Sequence, residues 1–347
     1  MLQTVSISRL MKRSIVYSAA ALVFLALSCT PYDNSIPDWP WADPSDPDPE
    51  WTDVTSSFGK LSDGIRVLKA PDRLRGQNAV AYAAVVDLSK ASFDVWSIYN
   101  PDLDGTDEAF MTPSKFYSEN GKPSIVINGG FFYEDSGTYY TSSLAVIGGK
   151  LYSPNINYAS EDWISIYYPT RAAFIEHNDG SFETGWTYYH DADAHYLYSS
   201  PAQNSWASTP LMVPDAMFPC EAASLNAKTA IGGGPVLIKD GKIVNSYRQE
   251  LFDGPTGIMC DERHPRTAIG ITADGKLVLF VCEGRDMTEG VPGYKTEEVA
   301  RLMKGLGCVE AMNLDGGGSS CMLVGGSETI KPSDGSQRAV ASFVYIK

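Results

Sequence analysis

Several short segments of this 347-residue sequence pair glycine with charged or hydroxyl side chains in a way that suits chemistry on an oxyanion. The richest is NLDGGGSS at residues 313–320, where Asp315 precedes a run of glycines. A carboxylate in that position can serve as an acid, a base or a nucleophile, and successive backbone N–H groups can bind an anion. The predicted anion ligands are Gly316, Gly317, Gly318 and Ser319. The alternative is an ordinary glycine-rich turn. The segment lacks the G-x-x-x-x-G-K-[ST] pattern of a P-loop, so we predict no nucleotide site here.

Two further segments add arginines and a second carboxylate. In ERHPRT at residues 262–267, Pro265 stiffens the approach of Arg266 to a predicted strand, and a planar guanidinium there suits an oxyanion. In CEGRD at residues 282–286, Glu283 and Arg285 follow another apolar run. We therefore predict Asp315, Glu283 and Arg266 as catalytic residues. His264 and Arg285 are predicted additional phosphate ligands, against the alternatives of a loop histidine and a solvated charge cluster.

The segment IVINGGFF at residues 125–132 reads as a buried strand that runs into a polar asparagine and two glycines. Glycines without a Cβ allow the backbone to approach another group closely. Asn128, Gly129 and Gly130 are therefore predicted substrate-binding residues. The alternative is a turn in which Asn128 bonds to the local backbone.

The elements that would position these segments are mostly strands. Residues 79–88 and 92–99, separated by three residues, predict one hairpin, and residues 235–244 and 267–281 each place Asp-Gly between apolar runs, the strongest short-range hairpin signal. A helix is predicted over 296–306, with Thr296 as N-cap and Gly307 ending it. Strands are predicted over 309–314 and 340–346. These patterns predict an α+β fold, a single domain over 51–347 on a mixed, largely antiparallel sheet with a few helices.

The first fifty residues differ in character from that domain. Lys12 and Arg13 precede an apolar run that ends at Ser28 and Cys29, which predicts an export signal over 1–28 with Met11 as an alternative start. The ending resembles a lipobox, so we expect Cys29 to be lipidated, the alternative being an ordinary signal peptide. Residues 29–50, rich in proline and aspartate, predict a flexible acidic tether. The expected location is the cell envelope, lipid-anchored to the outer membrane and facing the periplasm or the surface.

The net charge and the number of cysteines limit the possible partners and the possible disulfide pairing of this protein. With 42 acidic against 27 basic residues, the net charge is −15, which argues against a nucleic-acid partner. If Cys29 is lipidated, five cysteines remain. Cys220 and Cys260 lie in polar segments and are the predicted disulfide, whereas Cys282, Cys308 and Cys321 lie in or beside apolar strands and are predicted buried thiols.

Taken in order, the motifs NGGFF, GGGPVLIKDGK, RHPRTAIGI and LDGGGSS resemble the phosphodiester glycosidase family over roughly residues 75–347. The resemblance implies hydrolysis of a sugar-1-phosphodiester, with a site built from these motifs and a phosphorylated carbohydrate as substrate. No cofactor is predicted, and we expect a monomer. An insert over 139–220 has no counterpart in the motifs, and its aromatics, Trp186 and Tyr188 among them, could stack on sugars or pack a core of their own.

Two other functions fit the same residues. One is a metal-dependent phosphodiesterase or phosphatase that holds a divalent ion among Asp315, Glu283 and Asp286. The other is a surface lipoprotein that binds glycans without turning them over.

Overall fold

The computed structural model describes residues 50–101, 109–254 and 257–347. The predicted signal over 1–28, the lipidation at Cys29 and nearly all of the tether over 29–50 lie outside the described residues. Within these three ranges, no helix has the length and apolar character needed to cross a membrane.

Strands make up most of the described secondary structure. In chain order they are β1 (Thr52–Asp53), β2 (Ile65–Lys69), β3 (Arg73–Leu74), β4 (Gln77–Asn78), β5 (Ala81–Asp87), β6 (Phe93–Ser97), β7 (Ile125–Asn128), β8 (Phe132–Asp135), β9 (Thr138–Thr141), β10 (Ala145–Ile147), β11 (Lys150–Ser153), β12 (Arg171–Glu176), β13 (Phe182–Asp191), β14 (Ala194–Tyr198), β15 (Ala223–Ser224), β16 (Thr229–Gly232), β17 (Val236–Lys239), β18 (Lys242–Ile243), β19 (Arg266–Thr272), β20 (Lys276–Cys282), β21 (Cys308–Asn313), β22 (Met322–Val324), β23 (Ser327–Glu328) and β24 (Ser342–Ile346). The α-helices that lie wholly within the described residues are α1 (Pro113–Glu119) and α2 (Thr296–Gly305), with short 3-10 turns at Thr55–Phe58 and Gly317–Ser319.

Three large sheets carry the fold. Their strand orders are β1-β2-β5-β20-β19-β21-β17-β18, β11-β10-β16-β12-β13-β14-β15 and β23-β22-β7-β24-β6, and two small ribbons pair β3 with β4 and β8 with β9. Every strand pair among the described residues is antiparallel. The predicted antiparallel α+β character is confirmed, whereas the expected single mixed sheet is replaced by several antiparallel ones.

The hairpins test how far turn chemistry decides pairing. The two Asp-Gly hairpins are confirmed, since β17 pairs with β18 across Asp240-Gly241 and β19 pairs with β20 around Gly275. The hairpin predicted over 79–99 is wrong. β5 pairs with β2 and β20 in the eight-stranded sheet, while β6 pairs with β24 in the five-stranded one. The connection between them therefore carries the chain from one sheet to another.

Helix α2 covers one face of the eight-stranded sheet. It begins at Thr296 with Lys295 as N-cap, one residue before the predicted cap, because the Thr296 hydroxyl instead donates to the Cys260 carbonyl at 3.3 Å. The Glu298 side chain accepts from the Lys295 amide at 2.9 Å. The helix ends at Gly305 and Gly307 follows at φ +90°. Its apolar face packs on the sheet through Val299, among others.

One core joins the three sheets. It includes Val86 of the eight-stranded sheet, Phe174 and Trp186 of the seven-stranded sheet, and Val344 of the five-stranded sheet. The segment expected to be an insert thus supplies β9 to β14 and is part of this shared core. Of its aromatics, Trp186 and Tyr188 are buried, which favours the packing alternative for both.

The cysteines divide differently from the prediction. Cys220 is disulfide-bonded, but Cys260 is a buried free thiol, so the pairing of these two is wrong. They lie in different apolar clusters, Cys220 beside Tyr188 and Cys260 beside Tyr247. The three predicted buried thiols are confirmed: Cys282, Cys308 and Cys321 are free and buried. Burial raises the pKa of the Cys282 and Cys321 thiols to about 12, which makes them poor nucleophiles.

Candidate active site

A cavity of about 480 Å³ lies where the three large sheets end together. Strands β7, β16 and β21 end at Asn128, Gly232 and Asn313, and β12 and β19 begin at Arg171 and Arg266. Segments that leave or enter these strands form the cavity wall. The antiparallel topology thus brings segments that are far apart in sequence to one place.

Asp315 lies in the wall, just beyond the end of β21. Its amide donates to the Gly129 carbonyl at 3.1 Å, and its Oδ1 accepts from the Gly316 amide at 2.8 Å. Burial raises the pKa of the Asp315 carboxyl to about 6, although hydrogen bonds from Ser319 and Gly316 and the charge of Arg338 oppose that rise. A carboxyl with this pKa can exchange a proton near neutral pH.

The glycine turn after Asp315 offers fewer free amides than its sequence suggests. The Gly316 amide bonds the Asp315 carboxylate, and the Gly317 amide donates to the Pro265 carbonyl at 2.9 Å. The Gly318 amide has no acceptor among the described residues. Close packing explains the glycine at 318, because a Cβ there would lie 2.1 Å from Asp334 Oδ2. The expected anion nest therefore reduces to one available amide.

Ser319 lies behind the wall rather than in it. Its hydroxyl is buried, hydrogen bonds the Asp315 carboxylate and lies 3.4 Å from Arg338 Nη1. The structure therefore places Ser319 as a link between Asp315 and an arginine that does line the cavity.

Arg266 lines the cavity, but most of its hydrogen-bonding capacity is used inside the protein. Its Nε donates to the Tyr294 carbonyl at 3.0 Å, and its Nη1 to the Ile258 carbonyl at 2.9 Å. Its Nη2 donates to the carbonyls of Met259 at 2.7 Å and Glu262 at 2.9 Å. A guanidinium has five N–H groups, so one is left for a ligand. The two-oxygen grip expected from the sequence is not available in this arrangement.

His264 and Arg285 form a pair beside the glycine turn. Arg285 Nε donates to His264 Nδ1 at 3.3 Å, which assigns the imidazole proton to Nε2. Burial, followed by the charges of Arg266 and Arg285, lowers the pKa of His264, so the ring is neutral at pH 7. The Arg285 side chain is exposed, and its Nη2 lies only 2.9 Å from the position that a Cβ on Gly317 would occupy. Arg285 thus presents its charge next to the Asp315 loop.

The structure does not bring Glu283 into the cavity wall. The Glu283 side chain is buried, and its Oε1 accepts from the Lys331 amide at 2.9 Å. Among the residues that the structure describes, Asp315 is the one acidic side chain in the wall. The pair of carboxylates expected from the sequence is therefore replaced by a single carboxylate among arginines.

The Asn-Gly-Gly segment also lies behind the wall. Asn128 Nδ2 donates to the Asp315 carbonyl at 2.8 Å, while its Oδ1 accepts from Thr267 Oγ1 at 2.8 Å. A Cβ on Gly129 would lie 2.3 Å from Ser342 Oγ, and one on Gly130 would lie 2.4 Å from the Gly232 carbonyl. These three residues let the sheet ends approach closely and hold the backbone of Asp315.

Sequence reasoning missed several wall residues. Arg338 precedes β24 and pairs with Asp334 through Nη2 at 2.6 Å, and Arg171 opens β12. The sequence contained one sign of Arg171, because Arg171 and Arg266 are each the first residue of a strand. The aromatic wall residues are Phe131, Phe132, Tyr133, Tyr158, Trp206 and Phe252.

The cavity is strongly cationic in an acidic protein. The described part of its wall contains one aspartate, Asp315, and four arginines, Arg171, Arg266, Arg285 and Arg338, while the whole chain carries a net charge of −15. This local excess of positive charge suits an anionic ligand. No three His, Cys, Asp or Glu side chains of the described ranges converge in a group that could hold a metal ion.

Two solved structures share the fold. The zebrafish N-acetylglucosamine-1-phosphodiester alpha-N-acetylglucosaminidase catalytic domain, auto-inhibited by pro-peptide, has a TM-score of 0.51 at 20% identity, covering 88% of this chain and 85% of that one. A hypothetical protein from Synechocystis has a TM-score of 0.53 at 17% identity, covering 82% of this chain and 62% of that one. These likenesses concern the fold.

Sequence relatives match shorter segments. The SPbeta prophage-derived uncharacterized protein YomE of Bacillus subtilis is 34% identical over 124 residues, 35% of this chain and 18% of YomE. The N-acetylglucosamine-1-phosphodiester alpha-N-acetylglucosaminidase of Mus musculus is 36% identical over 69 residues, 20% of this chain and 13% of the mouse protein. The matches thus span less than a fifth of either relative. The sequence profile of the phosphodiester glycosidases, however, matches residues 121–347, which is more than half of the chain and includes Asp315 and all four cavity arginines, so this protein belongs to the phosphodiester glycosidase family.

Proposed function

We propose that this protein hydrolyses a sugar-1-phosphodiester and releases the sugar from its phosphate. The observation that carries the proposal is the cavity, whose wall contains, among the described residues, four arginines and one carboxylate, Asp315, with a pKa raised by burial to about 6. A phosphodiester supplies the negative charge that this wall lacks. The mouse relative's name, which specifies an N-acetylglucosamine-1-phosphodiester, supports the same class of substrate.

Arg285 and Arg338 are the proposed phosphate ligands, together with the Gly318 amide. Both side chains lie at the glycine turn, and neither is tied to backbone carbonyls as Arg266 is. Arg266 instead holds the segment from Ile258 to Glu262 in place and contributes its charge and one N–H. His264 orients Arg285 through Nδ1.

Asp315 is the proposed catalytic carboxylate. It acts in its ionised form, either on the anomeric carbon or on a water that attacks that carbon. A phosphate monoester is a good leaving group, and the arginines stabilise the charge that develops on it, so the reaction needs no second carboxylic acid in the cavity. This accounts for a wall that contains Asp315 but not Glu283.

The aromatic side of the cavity is the proposed sugar platform. Trp206 and Phe252 line the wall along with Tyr133 and Tyr158, of which the last two are partly open to solvent. Aromatic rings provide flat apolar area against which the C–H face of a sugar can pack.

Incubation with a panel of sugar-1-phosphodiesters tests the proposal, with release of reducing sugar as the measurement and Asp315→Asn as the inactive control. We expect release by the wild type and loss of release in the variant. Binding without turnover would support a glycan-binding protein instead, and loss of turnover on chelation would support the metal-dependent alternative.

We also propose that the protein works in the cell envelope, to which the predicted export signal over residues 1–28 directs it. Support comes from the sequence alone, in the basic pair and apolar run that end at Ser28-Cys29.

A further inference from the structure

Arg171 is buried at the cavity wall with hydrogen-bonding capacity that the protein does not use. It is 4% exposed, opens β12 and lines the cavity. Its Nη1 donates to the backbone carbonyl of Glu250, and its guanidinium stacks on the Phe252 ring, with Cζ 4.4 Å from the ring centroid. Its Nε is buried and has no hydrogen-bond partner. A buried donor without a partner costs free energy unless a ligand supplies the acceptor.

The nearby Glu250 carboxylate does not use this capacity. Its Oε1 accepts from Ser246 Oγ at 2.5 Å and from the Val236 amide at 3.0 Å, and its Oε2 accepts from the Ala172 amide at 2.8 Å. In the described residues, Arg171 hydrogen bonds Glu250 through the Glu250 backbone carbonyl and not through its carboxylate. The Glu250 carboxylate is thus bound by neutral donors, and the guanidinium faces it only at longer range.

The unused donors of Arg171 share one edge. With Nη1 engaged by the Glu250 carbonyl, the Nε–H and one Nη2–H point in the same direction and form the planar fork that matches two oxygens of a carboxylate or phosphate. Burial lowers the pKa of Arg171 to about 10, so the group keeps its charge at neutral pH. Arg171 enters the wall from the seven-stranded sheet, whereas Arg266 opens β19 of the eight-stranded sheet and Arg285 lies in the turn that follows β20 of that sheet.

We propose that Arg171 forms a second oxyanion subsite, so that the preferred substrate is a sugar-1-phosphodiester whose sugar carries a further anionic group, a carboxylate or a second phosphate. The inference rests on the proposed function, since it places the 1-phosphate at Arg285 and Arg338. Phe252, which stacks on Arg171 and also lines the cavity, holds the guanidinium plane fixed beside the proposed sugar platform.

Titration calorimetry at fixed ionic strength tests the subsite without requiring turnover. The matched probes are glucose 1-phosphate and glucuronic acid 1-phosphate, which differ only in the group at C6. Glucose 1,6-bisphosphate carries a phosphate at C6 and therefore shows whether the subsite prefers a phosphate or a carboxylate. We expect the wild type to bind the better of the two doubly anionic probes about 10- to 100-fold more tightly than glucose 1-phosphate, as for a hydrogen-bonded charge pair.

Arg171→Gln should reduce that preference to about one while inorganic phosphate binds as in the wild type. Arg171→Lys, which keeps the charge without the fork, should retain only part of the preference. Arg66→Gln, on an exposed strand arginine outside the cavity, is the control and should leave every affinity unchanged.

Equal affinity of the wild type for all three sugar phosphates, or a preference that survives in Arg171→Gln, would overturn the subsite. Failure of the wild type to bind inorganic phosphate would instead overturn the proposed function. In that case the affinities for glucuronate and for glucose can still be compared to test the Arg171 subsite, and equal affinities for these two sugars would refute the subsite. If Arg171→Gln does not fold, the wild-type preference alone decides.

Discussion

Replacing Asp315 by asparagine should abolish activity and at the same time stabilise the protein at neutral pH. Burial raises the pKa of this carboxyl from 3.8 to about 6, so folding opposes its ionisation. Asparagine keeps an oxygen to accept from the Gly316 amide, a bond of 2.8 Å in the wild type, but carries no charge. The variant thus removes the ionisation that folding opposes while preserving the shape of the loop.

The magnitude and sign follow from that shift. A carboxyl whose pKa is raised on folding stabilises the folded state in its protonated form. For Asp315 this contribution to the free energy of unfolding is fully present below about pH 4 and is lost as the pH rises through about 6. Two pKa units at about 1.4 kcal/mol each amount to at most about 3 kcal/mol. The free energy of unfolding of Asp315→Asn minus that of the wild type should therefore increase by up to about 3 kcal/mol between pH 4 and pH 8.

Urea denaturation of both proteins across this pH range measures the difference, and all other titrating groups cancel. Asp274→Asn is a control that should show almost no change over this range, because hydrogen bonds from Lys276 and Thr272 lower the pKa of that exposed carboxyl and its contribution to stability is lost only below about pH 4. Activity should fall about 100- to 10,000-fold in Asp315→Asn, and wild-type kcat/KM should rise with pH through about 6. A stability difference that does not change with pH, or a variant that retains wild-type turnover, would refute the reasoning.

Four other outcomes are expected. Arg285→Ala should weaken inhibition by inorganic phosphate about tenfold or more in steady-state assays with little change in melting temperature, and undiminished inhibition would remove it from the phosphate site. Arg266→Ala should destabilise the fold by several kcal/mol in urea titrations, because four carbonyls lose their donor; unchanged stability would contradict the structural role. Gly318→Ala should lower both activity and melting temperature, since its Cβ would meet Asp334 Oδ2 at 2.1 Å, and a wild-type melting temperature would argue against this packing. Deletion of residues 1–28 should remove the protein from the cell envelope in cell fractionation, and an unchanged location would exclude the export signal.

Local patterns in the sequence predicted the local structure well. The Asp-Gly turns at Asp240-Gly241 and around Gly275 formed the expected hairpins, and the helix at Thr296 formed within one residue of its predicted bounds. Turn chemistry and hydrophobic periodicity act over a few residues, so they can be read directly. The motif around Asp315 likewise indicated a carboxylate in a glycine turn.

Strand partners and hydrogen-bond assignments depended on the tertiary structure. The same residue types that predicted a hairpin over 79–99 fit equally well into two different sheets, because the pairing of a strand depends on neighbours distant in sequence. Arg266 has the sequence context of a ligand, yet four carbonyls from the folded chain occupy its donors. Glu283 lies outside the cavity wall although Arg285, two residues later, lines it, whereas Arg171 and Arg338 are far apart in sequence and both line the wall. Only the meeting of three sheet ends decides which side chains share one cavity.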